Sequence, residues 1–305
     1  MQEIRIGQLQ DMDSPIRHVM NHVHEAIEKI APERRGTFAR DYDEFILEYL
    51  DDFRWICEVD VANKRIRLSR KVMEVLWAAS FAYFRLYLAI QERFGGRVSV
   101  SAEIEFAHEV HLKEAVDLLQ WGFSSWLNHS GAPWPPHLPK PISDPVRASD
   151  ENMADELSLC AIAFILHHEL AHIRLHHFGA SELDSERDAD NCANDWVLGQ
   201  IDDETDSKFV KRALGVATAL AVLVAKGIHT QAYGDPSHPR SFDRLMHALD
   251  RHIRDPNHPA WEFVTAVLKL HLDNAAHGAE IPDRPFESMR ECVDAYVDAL
   301  SRIGA

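Results

Sequence analysis

Between His129 and Pro141 the chain reads HSGAPWPPHLPKP, with prolines at 133, 135, 136, 139 and 141. Proline lacks an amide hydrogen and fixes φ, so neither a helix nor an interior strand can run through this stretch. Residues 131–149 are therefore read as an extended loop, and loops of that length are commonly functional or disordered. The loop separates an N-terminal region, 1–130, from a C-terminal region, 151–305.

The chain has 305 residues, 46% of them apolar and 27% charged, enough to bury a substantial core in one large domain or two small ones. Its formal net charge of −17 argues against a nucleic-acid backbone or an anionic membrane surface as partner. The four cysteines, Cys57, Cys160, Cys192 and Cys292, lie far apart without a CxxC pair, which argues against a disulfide framework and suits a reducing compartment. Met1 to Ile6 shows no secretory signal core, so a cytoplasmic location is expected. The most apolar run, LGVATALAVLVA from Leu214 to Ala225, is shorter than the roughly 20 residues a membrane span needs, and is read as a buried core helix.

The first third is expected to be helical with one β-hairpin inserted at about 55–69. Cys57 to Val61 and Arg65 to Leu68 each alternate with period two around the turn Ala62-Asn63-Lys64. Helical periodicity follows from Lys71 to Gln91, with Val75, Leu76, Phe81, Phe84 and Leu88 as core candidates, and again from Ala102 to Leu127. Beyond the loop, Asp150 is read as the cap of a helix from Glu151 to His177 that ends at Gly179. Ser185 or Asp184 caps the next, Glu186 to Leu198, and further helices are expected over 206–226, 239–253, 260–274 and 286–303. The predicted fold class is mainly α (α+β): a helical core with a small hairpin or sheet in the N-terminal part.

Within the first helix after the loop stands HHELAHIRLHH, containing His168-Glu169-Leu170-Ala171-His172. Residues four apart share a helix face, so His168 and His172 can reach one metal ion. Glu169 sits beside that ion and can take a proton from water, the arrangement of a zinc hydrolase with Zn²⁺ as cofactor. A surface helix that happens to be histidine-rich is the plainer reading, since His167, His176 and His177 flank the motif.

A catalytic zinc takes three protein ligands and one water. The position ten after His168, where a metzincin has histidine, is Phe178. The following segment, ERDADNCANDW, opens with Glu186, which can supply the third ligand, with Glu182 and Asp184 as rivals. Asp190, one turn later, can hydrogen-bond the outer nitrogen of a ligating histidine. The bland alternative for Glu186 is an acid favoured by the helix dipole. Farther on, Ser237-His238-Pro239 is followed by Arg244, and His238 or Arg244 would serve as the electrophile for an oxyanion; the alternative is a proline-started surface helix.

The His, His, Glu set with ExxxD resembles the gluzincin metallopeptidases, and the HP segment with its arginine resembles one carried by their M48 class. Together the three motifs, over about 150 to 250, resemble the peptidase U49 group. That resemblance implies a zincin-like, zinc-dependent endopeptidase of bacterial phage defence acting in the cytoplasm. It further implies silence until a phage-derived activator appears and the translation factor EF-Tu as a protein substrate. A regulator-cleaving or housekeeping gluzincin peptidase is the alternative within the class. Outside it stands a non-catalytic zinc-stabilised interaction protein, which would have no need of Glu169 between its histidines.

Overall fold

A computed structural model of the chain describes residues 12–41, 44–94, 110–178, 183–230, 238–275 and 284–303. Its elements are α1 (Arg17–Lys29), a 3-10 turn (Pro32–Arg34), α2 (Arg35–Asp41), β1 (Ile46–Leu50), β2 (Cys57–Asp60) and β3 (Arg65–Ser69). Then come α3 (Arg70–Phe94), α4 (Val110–Leu127), α5 (Asp150–Arg174), α6 (Leu183–Val197), α7 (Ser207–Thr230), α8 (Ser241–Asp250), α9 (Pro259–Ala275) and α10 (Met289–Ile303). The fold is mainly α with one small sheet in the N-terminal part, as the sequence predicts.

The expected hairpin is β2 paired antiparallel with β3, Cys57 opposite Leu68 and Asp60 opposite Arg65. The third strand, β1, is a correction to the helical reading of this stretch. It lies parallel to β3, giving the order β1-β3-β2 and leaving β2 at an edge. Leu47 and Tyr49 are buried while Glu48, on the other face, pairs with Arg65 at 3.2 Å. In Phe45-Ile46-Leu47-Glu48-Tyr49-Leu50 both faces carry apolar residues, which blurs the alternation that marks a half-buried strand.

β3 runs directly into α3, whose Val75, Leu76 and Phe81 are buried as expected, whereas Phe84 and Leu88 are only half-buried. At the junction Lys71, wholly buried, donates to Glu74 at 2.6 Å and to Ser125 at 3.1 Å, so a charge that would be costly alone is paired. The predicted helix over 102–127 is described from Val110 onward; residues 102–109 lie outside the described residues. The proline-rich segment carries no helix or strand, and Trp134 anchors it: its ring packs on Trp77 and Trp121, and its Nε1 donates to Pro139 O at 3.0 Å.

α5 lies at the centre, packed against α7, α3, α6 and α1. Its cap is Ser149 and not Asp150: Ser149 Oγ accepts from Asn152 N at 3.2 Å, while Asp150 lies inside the first turn and pairs with Arg85 at 3.1 Å. α7 contains the apolar run but extends well beyond it. It crosses α5 so closely that a Cβ on Gly215 would stand 2.3 Å from Cys160 Cβ. Small residues along α7 permit that approach. α3, α5 and α7 are long and apolar enough by length and composition to cross a membrane, yet 72%, 78% and 78% of those windows are buried inside the fold. Helices surrounded by other helices need apolar residues all round.

Candidate metal centre

On α5 the motif residues divide by helix face. His167 points into the core, bonded through Nε2 to Ile27 O at 3.0 Å and stacked on Trp196, and burial pushes its pKa down to about 3. This histidine is a packing residue and not part of a histidine-rich surface. His168 and His172, one turn apart, bring their Nε2 atoms to 3.1 Å of each other. Both are nearly buried, at 7% and 8% exposure.

α6 supplies the acids. It begins at Leu183, so Asp184 and Ser185 lie in its first turn and do not precede it as caps. Glu186, buried, places Oε2 3.3 Å from His168 Nε2 and Oε1 3.5 Å from His172 Nε2. Asp184 instead faces solvent beside Arg187, and Glu182 lies outside the described residues. Ligand atoms of His168, His172 and Glu186 all lie within 4.8 Å of one another and could hold a metal ion. Around a tetrahedral ion with bonds of about 2.1 Å, neighbouring ligand atoms stand about 3.4 Å apart; the two Nε2 atoms are 3.1 Å apart, and the Glu186 carboxylate approaches one through Oε2 at 3.3 Å and the other through Oε1 at 3.5 Å.

The outer nitrogens are also occupied. His168 Nδ1 donates to Asp190 Oδ1 at 2.9 Å, and Asp190 receives two bonds from Arg244, 2.8 Å from Nε and 2.7 Å from Nη. Burial pushes His168 down, but hydrogen bonds to Asp190 and Glu186 outweigh it and lift the group to about 9. Burial and the adjacent His168 lower His172 to about 4. Burial would raise Asp190, but Arg244 and His168 hold its carboxyl well below the usual range.

His172 Nδ1 meets His177 Nδ1 at 3.0 Å, a partnership sequence reasoning missed. α5 stops at Arg174, short of the expected His177, because His176 adopts φ 57° and turns the chain back until His177 N donates to His172 O. A left-handed histidine leaves no periodic signal. The expected Gly179 stop lies outside the described residues.

Glu169, half-buried, lines the same cleft, and burial pushes it up to about 7 although His168 opposes the shift. His238 also lines it, with Nε2 3.4 Å from Glu186 Oε2. α8 starts at Ser241 and not at Pro239, because Arg240, ahead of it, remains extended at ψ 138°. His238 is thus well outside the helix, and Arg244, inside it, is turned toward Asp190. β2 completes the cleft, which is about 530 Å³ and includes Cys57, Glu58 and Val59. Such a site can bind a cation, accept a proton beside it and donate a hydrogen bond from His238.

The family model for peptidase U49 matches residues 66–264, about two thirds of the chain, a stretch that contains His168, Glu169, His172, Glu186, Asp190, His238 and Arg244. The chain belongs to the peptidase U49 family. This U49 chain is also 28% identical over 279 residues to the cell death peptidase of Escherichia coli (strain K12), an alignment covering 88% of the chain and 91% of that relative. No solved structure matches it. The U49 assignment makes the chain a peptidase by family, acting on peptide bonds of protein substrates.

Proposed function

We propose that this U49 peptidase is a zinc-dependent endopeptidase of gluzincin type, with His168, His172 and Glu186 as ligands. The observation that carries the reading is the convergence of two imidazole nitrogens and one carboxylate, their ligand atoms within 4.8 Å of one another, beside Glu169 in one cleft. A bound zinc ion would act as a Lewis acid, acidifying water and polarising the scissile carbonyl. Glu169 accepts the proton of the attacking water and passes it to the leaving amine. His238 donates to the developing oxyanion. Asp190 holds the His168 ring in the orientation that aims Nε2 inward, and Arg244 holds Asp190.

For the biological setting the support is the family resemblance of the motifs. We propose a conditionally activated, cytoplasmic phage-defence protease, woken by a phage-derived activator, with EF-Tu as its target.

Glu169→Gln is the deciding variant. It should bind zinc as wild type does, since all three ligands remain, while turnover falls by about 100- to 10,000-fold because an amide accepts no proton. Metal analysis together with mapping of cleaved proteins after inducing both forms gives the comparison. Equal cleavage by the metal-loaded variant would reject the mechanism.

A further inference from the structure

The cavity around Glu169 has two unlike halves. One is the polar cleft just described, whose walls include Glu58, His176, His177 and Ser185. The other, about 430 Å³, opens from the same Cys57, His168, Glu169 and His238 but is walled by Trp55, Phe164, Ile165, Leu220 and Leu223. Phe164 and Leu220 are 2% and 1% exposed, so this half cuts down to the core between α5 and α7. Ala219 contributes only a methyl group to the wall, and Lys226 stands exposed at the border.

We infer that this apolar half is a specificity pocket that takes a bulky aliphatic or aromatic side chain from a residue flanking the scissile bond. The inference deepens the endopeptidase reading and rests on it. A peptide whose carbonyl lies against Glu169 must run through the common mouth of the two halves. Among the described strands β2 is the outer one beside that mouth, and a strand at a sheet edge is where an extended segment can pair. Consecutive side chains of an extended peptide project to opposite sides, so a residue next to the reacting carbonyl is directed into one half or the other. Of the charged groups that line this half beyond the shared mouth, Lys226 is exposed and Arg244 is already bonded to Asp190, so the walls formed by Phe164, Leu220 and Leu223 gain contact and shed water when an apolar group enters. A packing defect would be closed off from the site; this pocket instead shares four residues with it.

Two measurements on the full-length, zinc-loaded chain test this. In the first, zinc-directed hydroxamates of leucine and of glycine are titrated and followed by tryptophan fluorescence, for wild type and for Ala219→Leu, which fills the pocket. The leucine compound should bind wild type about 10- to 100-fold more tightly than the glycine compound. Ala219→Leu should remove that preference while keeping its zinc and its affinity for the glycine compound. In the second, a peptide library cut by wild type should show bulky apolar residues at one flanking position, and Leu223→Ala should shift the preference toward larger side chains. Equal binding of the two hydroxamates, or a cleavage profile indifferent at both flanking positions, overturns the pocket and leaves the peptidase reading intact. A chain that binds neither hydroxamate and holds no zinc overturns the metal reading and the pocket with it.

Discussion

Arg244 clasps Asp190 with two hydrogen bonds of 2.8 and 2.7 Å across 54 residues of sequence, while the same carboxylate accepts the His168 Nδ1 proton at 2.9 Å. One turn of α8 is thereby tied to the orientation of a candidate metal ligand on α5. Arg244→Ala leaves a buried carboxylate without its guanidinium, so stability should fall by about 3–5 kcal/mol. Zinc affinity should fall by about 10- to 100-fold in the molecules that remain folded. Chemical unfolding and chelator competition measure the two effects. Lysine should not restore them, since it cannot reproduce the planar fork. Unchanged zinc affinity in a folded Arg244→Ala protein would show that Asp190 needs no such clamp.

Glu186 and Asp184 stand one helical position pair apart on α6, yet one is 3% exposed at the histidines and the other lies in solvent. Glu186→Ala should weaken zinc binding by more than the roughly 10- to 100-fold expected of an outer partner, whereas Asp184→Ala should bind as wild type. Metal content after gel filtration distinguishes them. Loss of zinc from the Asp184 variant alone would reverse the assignment.

Gly215→Ala should disturb the centre of the molecule. The added methyl would fall 2.3 Å from Cys160 Cβ and 3.2 Å from Ala161 N, and neither backbone can yield without shifting α7 from α5. A destabilisation of about 1–3 kcal/mol is expected, read as a lower melting temperature. An unchanged melting temperature would mean that the two helices can slide apart at little cost.

Asp155 sets a pH dependence away from the metal centre. Burial pushes its pKa from 3.8 to about 6, although it accepts a 2.6 Å bond from Trp77 Nε1; His22 also lowers it, while Glu151 and Glu156 raise it further. Because the folded pKa exceeds the unfolded one, the native state holds the extra proton between about pH 4 and 6. This group's contribution is therefore most favourable below pH 4 and is lost as pH rises through 6. Allowing for the partial exposure of the side chain, the loss is about 1 kcal/mol. Asp155→Asn keeps an acceptor for Trp77, so it should be more stable than wild type at pH 7 and should lack that slope in denaturant midpoint. A variant that is less stable at pH 7 would show that the charge itself is wanted there.

Short-range spacing in the sequence determined the helical placement of His168, Glu169 and His172, the period-two hairpin of β2 and β3, and the interruption by proline at 133–141. Each depends on steric rules that act within a few residues, so a single chain suffices to read them. Tertiary packing decided the rest. Which acid of α6 turns inward depends on how that helix sits against α5, and whether Arg244 reaches the cleft or Asp190 depends on where α8 docks. β1 is a strand because β3, some 20 residues later, offers it a parallel edge, a partnership with no local signature. His177 returns to His172 only because one residue between them takes a left-handed turn that composition does not announce. Side-chain spacing can nominate donors, but bringing two imidazoles and a carboxylate of another helix within reach of one ion takes helices packed against one another.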